Sequence, residues 1–272
     1  MTTDNKSEPV PPTVNDLSDR LYEVIADGID NVFRVYFKGA DVITDDRFFR
    51  INSGLPHPMA NLMITWKQNE IEILTEGIEP YTSDAFPSGV LCLGDVGGEA
   101  ESLLKDRGFQ LAEAMPAMAV ELQNLAEATL GNDYTFRKVG PEEHDLWVDA
   151  FAKGYELPRE FAERIGPAHA ASVANEDEEH RHYLVFHGDL PVSTSLDLIR
   201  NGIVEVYCIS TVPEYRGKGL GRYVTGEPLH IAFEEGYKTA ILQATLKGEP
   251  IYRNLGFESY GELPLYVKIP DQ

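Results

Sequence analysis

The segment that most restricts the fold is Arg216-Gly217-Lys218-Gly219-Leu220-Gly221. It follows an apolar run, 203–209, in which Ile203, Val204, Val206, Tyr207, Cys208 and Ile209 surround one acid, Glu205. It opens a stretch whose apolar residues recur at Leu229, Ala232 and Phe233. Strand, glycine turn and helix in that order set the free amides of a helix N-terminus, with their partial positive charge, beside residues that have no side chain to hold a ligand off. That is the local plan of a phosphate cradle. Arg216, Lys218 and Arg222 add formal positive charge in a chain whose net charge is −22. Two other phosphate turns fit poorly. A dinucleotide fingerprint needs G-x-G-x-x-G early in a parallel unit, and here the second spacing is wrong and the turn comes late in a meander. A Walker A loop ends in Gly-Lys-Ser/Thr, which is absent. A glycine turn that only caps a helix is the remaining alternative to a ligand site.

The surroundings predict an α+β fold, a mixed and mostly antiparallel sheet flanked by helices. Residues 134–139 alternate like a half-buried strand, and Pro141-Glu142-Glu143 starts a helix with proline and acids in its first turn. The apolar face of that helix is expected at Leu146, Ala150 and Phe151, and a second helix from Pro158 carries Phe161, Ile165 and Ala168. The acidic run 175–179 reads as a solvated loop. Strands at 183–186 and 192–199 flank a turn at Gly188-Asp189, and Asn201-Gly202 between apolar runs is a hairpin signal.

A second element, Pro250-Ile251-Tyr252-Arg253-Asn254-Leu255-Gly256-Phe257, follows a strand at 239–245. Residues 209–221, in which Pro213-Glu214-Tyr215 leads into the glycine turn, resemble the signature of the GNAT acyl-CoA N-acyltransferases. Residues 250–257 are similar to the short helix of that family that ends at Gly-Phe. The resemblance covers residues 134–269. It implies acetyl-CoA as co-substrate. The backbone of Ile209, Ser210 and Thr211 would pair with the pantetheine arm and the acetyl carbonyl, as in strand addition. The turn Arg216, Gly217, Lys218, Gly219, Leu220, Gly221 and Arg222 would hold the pyrophosphate. Tyr252 is the implied general acid, because a phenol of pKa about 10 can protonate a leaving thiolate of similar basicity. The alternative is a tyrosine that packs and only positions the thiol.

The base that takes a proton from the acceptor amine is expected at Glu205, where burial would raise the carboxyl pKa and strand alternation gives the same face as Tyr207 and Ile209. A surface carboxylate at the exposed end of the strand is the competing reading; Asp197, His180 and His182 are weaker candidates. Two departures from the family pattern stand out. Thr245 occupies the place of a CoA-contacting Asn, and Gly226 and Pro228 lie inside the helix after the turn. A mid-helix proline costs about 3 kcal/mol, so that helix is expected to kink or break near Glu227.

The N-terminal half contains similar parts in poorer order: strands at 32–37, 60–66, 90–93 and 118–122, and a helix at 98–105. Gly108-Phe109 echoes Gly256-Phe257, so residues 17–122 resemble a degenerate copy of the same fold. The expected organisation is a disordered tail at 1–16, a degenerate GNAT-like domain at 17–130 and a catalytic GNAT domain at 131–272. The boundary falls after a helical stretch, 122–128, and the turn Gly131-Asn132-Asp133. Lacking both the glycine turn and the tyrosine, the first half is expected to be structural or to wall the acceptor pocket. Ser53-Gly54-Leu55-Pro56-His57-Pro58 is a loop suited to such a wall, although a plain surface loop is the simpler reading.

Composition excludes several classes. A net charge of −22 repels nucleic acid and is compatible with a cationic acceptor. No apolar run is long enough for a membrane span, and the first 16 residues have no apolar core of a signal peptide. Cys92 and Cys208 sit in apolar runs, which points to reduced thiols and a cytoplasmic protein. Seven histidines without metal-ligand spacing give no metal site. The expected acceptor is a small-molecule amine, and the protein is expected to be a monomer or homodimer. The competing functions are transfer to a protein or peptide amine and a non-catalytic acyl-CoA-binding regulatory module.

Overall fold

The computed structural model describes residues 11–270 apart from 18–19, 38–39, 84–85 and 175–178. In chain order its elements are α1 (Val14–Leu17), α2 (Leu21–Tyr36), β1 (Asp41–Thr44), β2 (Phe48–Asn52), β3 (Asn61–Thr65), α3 (Ile71–Ile78), β4 (Ser88–Cys92), α4 (Gly98–Asp106) and β5 (Gln110–Glu121). They continue as β6 (Tyr134–Lys138), α5 (His144–Gly154), α6 (Arg159–Ala174), β7 (His180–His187), β8 (Leu190–Arg200), β9 (Ile203–Thr211), α7 (Leu220–Glu234), β10 (Thr239–Gln243), α8 (Glu249–Arg253) and β11 (Glu258–Lys268).

The order β1-β2-β3-α3-β4-α4-β5 repeats as β7-β8-β9-α7-β10-α8-β11. In each run three antiparallel strands are followed by one parallel pair, β3 with β4 and β9 with β10. The two runs share one 11-stranded sheet in the order β1-β2-β3-β4-β11-β5-β10-β9-β8-β7-β6. Each final strand therefore lies beside the parallel pair of the other run: β11 pairs with β4, and β5 with β10. The repeat is also visible at single residues. Gly108 and Gly256 both have positive φ, 86° and 102°. The amide of Phe109 donates to Leu104 O at 2.9 Å, and that of Phe257 to Tyr252 O at 3.0 Å. Both helices thus end in the same glycine motif, and a buried leucine, Leu104, stands where the second copy has Tyr252.

One core runs through both halves. It joins Ile25, Ile29 and Val32 of α2, Phe49 and Ile51 of β2, Trp147 of α5 and Leu196 and Leu198 of β8. The helix α2 reaches across the sheet. A Cβ on Gly261 of β11 would overlap Tyr22 Oη, one on Gly28 would overlap Glu205 of β9, and Tyr36 Oη shares a 2.6 Å hydrogen bond with His182 Nε2 of β7.

Several expectations are corrected. Residues 32–37 belong almost entirely to α2 rather than a strand, because Leu21, Ile25, Ile29, Val32 and Tyr36 recur at helical spacing and bury one face. Residues 125–128 are not helical. The amide of Ala126 is drawn instead to Leu255 O at 2.9 Å. In α5 the buried residues are Trp147, Val148, Ala150, Ala152 and Gly154, whereas Leu146 is exposed. The helix α7 is not broken: it continues through Pro228, whose ring is buried. Residues 11–16, the end of the expected tail, are docked. Thr239 Oγ1 donates to Pro12 O at 2.7 Å, and Val14 and Leu17 are buried. Residues 1–10 and most of the acidic run lie outside the described residues. The Asn201-Gly202 hairpin is as expected, with φ of 51° and 78°.

His169 of α6 is buried with neither ring nitrogen hydrogen-bonded, stacked on Trp147 at 4.5 Å and edge-on to His182 at 4.3 Å. Burial, then the nearby His144, lower its pKa from 6.5 to about 3. The unfolded chain therefore binds a proton that the folded chain refuses, so this site disfavours the folded state as pH falls from 6.5 towards 3. Chemical denaturation as a function of pH should show His169→Phe, which keeps a ring in the stack, losing stability less steeply below pH 6.5 than the parent. Parallel curves would contradict this.

Candidate acyl-CoA site

Strands β9 and β10 part halfway along. Their register runs from Thr239↔Ile203 to Leu242↔Val206 and stops. Past that point β10 stays with β5, through Gln243↔Ala117 and the Ala244 amide on Pro116 O at 3.0 Å. Tyr207, Cys208, Ile209, Ser210 and Thr211 are left with β8 on one side only. An extended ligand arm can satisfy such an edge as an added strand would.

A β-bulge shapes the same segment. The β8–β9 register shifts between Thr194↔Ser210 and Leu196↔Tyr207, and Cys208 has φ of 54°. The extra residue breaks strand alternation. Tyr207 and Cys208 pack on the core shared by the halves, whereas Ile209 packs on the opposite side with Val206 and Leu229. Glu205 and Tyr207 thus share a face, but Ile209 does not share it. The hydroxyls of Ser210 and Thr211 are held by β8: Thr194 Oγ1 lies 2.8 Å from Ser210 Oγ, and Ser193 Oγ lies 2.9 Å from Thr211 Oγ1.

The glycine turn follows directly. Gly217 and Gly219 have φ of 74° and 81°, and Gly219 is the N-cap of α7. A Cβ on either would meet nothing within 4 Å, so the turn faces open space and the glycines are required by backbone conformation. The three cations are not equivalent. Arg216 donates to Thr211 O at 3.1 Å and Gly154 O at 2.7 Å and pairs with Glu156 at 3.2 Å, which fastens the end of α5 to the end of β9. Arg222 donates to Glu127 O at 2.7 Å. Lys218 Nζ lies 4.8 Å from the Tyr215 ring centroid.

Other elements close around this opening. Gly221 sits between Thr211 Oγ1 and Ile251 Cδ1, a Cβ there being 3.7 Å from each. Gly154 lies against Ser210, with no space for a Cβ. Tyr252 is 8% exposed, and burial raises its pKa above the usual phenol value, which keeps its proton in place. Burial, before any influence of Cys208 and Tyr252, raises the pKa of the Tyr155 hydroxyl. Thr245 Oγ1 accepts the Gly248 amide at 3.1 Å and so steadies the turn into α8.

Glu205 is 2% exposed and accepts a 2.8 Å hydrogen bond from Tyr207 Oη. Desolvation lifts its pKa to about 8 against the opposing effect of the Tyr207 hydrogen bond. Asp197 is lifted to about 8 by desolvation as well, but it pairs across to Val206 and so lies on the opposite face. His182 is tied to Tyr36 in the core. Sequence reading placed Tyr207 on the Glu205 face without a role, and it missed Gly154, Tyr155 and the Ser193-Thr194 pair. Only the last left a signal, a run of hydroxyls inside an apolar strand.

Among its described residues the first half has no such opening. Its parallel pair β3–β4 stays closed to Thr65↔Cys92, the ladder continues with Leu93 N on Thr65 O at 2.8 Å, and Gln68 Nε2 donates to Leu93 O and Asp95 O. The helix that follows, α3, has Glu70 as its N-cap and Glu72 in its first turn, which disfavours an anion.

Residues 141–257 match the Acetyltransferase (GNAT) family. A mycothiol acetyltransferase of Thermobifida fusca is 32% identical over 71 residues, 25% of this chain and 22% of that protein. An uncharacterized acetyltransferase of Streptococcus pyogenes serotype M1 is 32% identical over 89 residues, 32% of this chain and 63% of that protein. The match therefore spans less than two thirds of either relative. Among solved structures, a GCN5-related N-acetyltransferase from Kribbella flavida superposes with TM-score 0.64 at 19% identity, covering 91% of this chain and 96% of that one. A tandem GNAT protein from the clavulanic acid biosynthesis pathway gives 0.55 at 12% identity, covering 97% and 98%. The chain has the GNAT fold in a tandem arrangement, and residues 141–257 of its C-terminal half match the GNAT acetyltransferase family.

Gly219→Glu places a bulky anion where a pyrophosphate would lie and a side chain at positive φ. Fluorescence titration should show CoA affinity reduced about tenfold or more with the fold retained. Undiminished affinity would remove the turn from the site.

Proposed function

We propose that the protein transfers an acetyl group from acetyl-CoA to a primary amine of a small-molecule acceptor by direct attack. The observation that carries this reading is the parting of β9 from β10 beside a positive-φ glycine turn, with Ile251, the neighbour of Tyr252 on α8, against Gly221. The pantetheine arm lies along Ile209, Ser210 and Thr211, and the pyrophosphate on the amides from Gly217 to Arg222. The amine loses its proton towards Glu205 and attacks the thioester carbonyl. The tetrahedral intermediate then expels the CoA thiolate, which takes the Tyr252 proton, and the extra proton on the new amide nitrogen restores the phenol. The packing of α2 against Glu205, with no space for a Cβ on Gly28, favours a small acceptor over a peptide strand. The net charge of −22 favours a cationic one. Two unpaired cysteines and the absence, among the described residues, of any helix long and apolar enough to cross a membrane accord with a cytoplasmic enzyme.

Thiol release from acetyl-CoA, measured over alkylamines, arylamines, amino sugars and amino acids, tests the activity. CoA binding without release for every amine would instead favour the acyl-CoA-binding module. Tyr252→Phe should lower turnover about a hundredfold while leaving CoA affinity nearly unchanged. Unchanged turnover would exclude the acid role.

The base predicts a pH dependence. With the Glu205 carboxyl at about 8, kcat/KM should rise with pH and level off above that value. Glu205→Gln should lower kcat/KM about a hundredfold and abolish the rise. A full-height, unchanged profile in this variant would exclude Glu205.

A further inference from the structure

Glu205 is sealed on the acceptor side by the other half of the protein. Gly28, in the middle of α2, has no room for a side chain: a Cβ there would overlap Glu205 Oε2 and Tyr207 Oη and stand 2.7 Å from Glu205 Cδ. Glycine inside a helix is less favourable than alanine by about 1 kcal/mol. The Glu205–Tyr207 pair explains why it is present, since the two oxygens occupy the volume of the missing side chain. The other polar groups around the carboxylate are Asp27 on α2, Arg200 on β8 and Gln243 on β10. Arg200 donates to Asp27 O at 3.0 Å, so the β8–β9 hairpin is tied to α2 beside the glycine. Tyr207 is the less buried residue of the pair and the first of β9 past its parting from β10.

We propose that Gly28 of the N-terminal half is a positioning residue of the C-terminal site. It leaves the space in which Glu205 and Tyr207 pair, and the acceptor ammonium loses its proton through Tyr207 Oη to a carboxylate that it never touches. In this step the Tyr207 oxygen accepts a proton from the amine as its own proton passes to Glu205 Oε2. The amine becomes neutral, the phenol is unchanged, and Glu205 ends protonated. The first half of the chain, which has no opening of its own, thereby holds the base of the second. The relay rests on Glu205 being the base; the Gly28 contact does not.

Two measurements read the contact without an acceptor. Thermal denaturation should show Gly28→Ala destabilising the parent but tolerated in a background of Glu205→Ala with Tyr207→Phe, where both opposing oxygens are gone. Equal damage in both backgrounds overturns the contact. NMR of 13C-carboxyl-labelled glutamate, with the Glu205 signal assigned by Glu205→Gln, should show its titration midpoint displaced in folded Gly28→Ala. An unmoved midpoint overturns the positioning role. The relay is read with acetyl-CoA and the amine that releases most thiol. Tyr207→Phe should lose the pH-dependent rise of kcat/KM and lower kcat about a hundredfold with CoA affinity intact. A rise that survives Tyr207→Phe but disappears in Glu205→Gln overturns the relay and leaves the base. A rise that survives both removes the base reading itself, while the denaturation result still decides the contact.

Discussion

Strands β5 and β11 lie together at the centre of the sheet, paired from Glu258↔Ala119 to Val267↔Gln110, and each belongs by sequence to a different half. The site depends on this exchange. Strand β10 follows two neighbours, and at Leu242 they disagree: β9 turns away while β5 continues. Because β5 comes from the first half, the wall that keeps the fissure open is supplied by the half without one. In the first half the equivalent strands β3 and β4 stay paired to their ends and side-chain bonds from Gln68 close the gap. The difference between a site and its closed copy is a few backbone hydrogen bonds and the residues after the strand: Gly217 and Gly219 in one, Lys67 to Glu70 in the other.

Features fixed by neighbours in the chain were legible. The Asn201-Gly202 hairpin, the glycine N-cap of α7 and the two Gly-Phe helix ends each depend on φ values that few residues adopt, so the letters carry the geometry. Features settled by distant partners were not. The β-branched and aromatic run at 32–37 resembles a strand, yet it completes a helix because that helix has a sheet face to cover. Leu125 to Ala128 have helical propensity, but the Ala126 amide and the Glu127 carbonyl are claimed by Leu255 and Arg222.

Within the site the same division holds. Alternation along β9 correctly joined Glu205 to Tyr207 and failed at Ile209, because one inserted residue at Cys208 reverses every later side chain. Arg216 read as a phosphate ligand by its place in the turn. Its bonds to Thr211 O and Gly154 O show that it also fixes the strand end on which an acyl-CoA arm would lie. Lys218, beside an open turn and an aromatic ring, keeps the freer charge for an anion.

The two buried carboxylates show why position on the sheet matters more than burial for chemistry. Desolvation raises Glu205 and Asp197 to the same value, about 8, and they lie on adjacent strands. Asp197 has no hydrogen bond to either oxygen and faces the side covered by α7. Glu205 faces the core shared by both halves, where Tyr207 bonds it and the Cys208 thiol lies near the hydroxyls of Tyr36, Tyr155 and Tyr207. A raised pKa makes either group a stronger proton acceptor, but among the described residues only Glu205 has a bonded hydroxyl, that of Tyr207. That hydroxyl stands where it does because α2 meets the strand with a glycine. The first half therefore borders the fissure, through β5 beside β10 and through α2 against Glu205 and Tyr207.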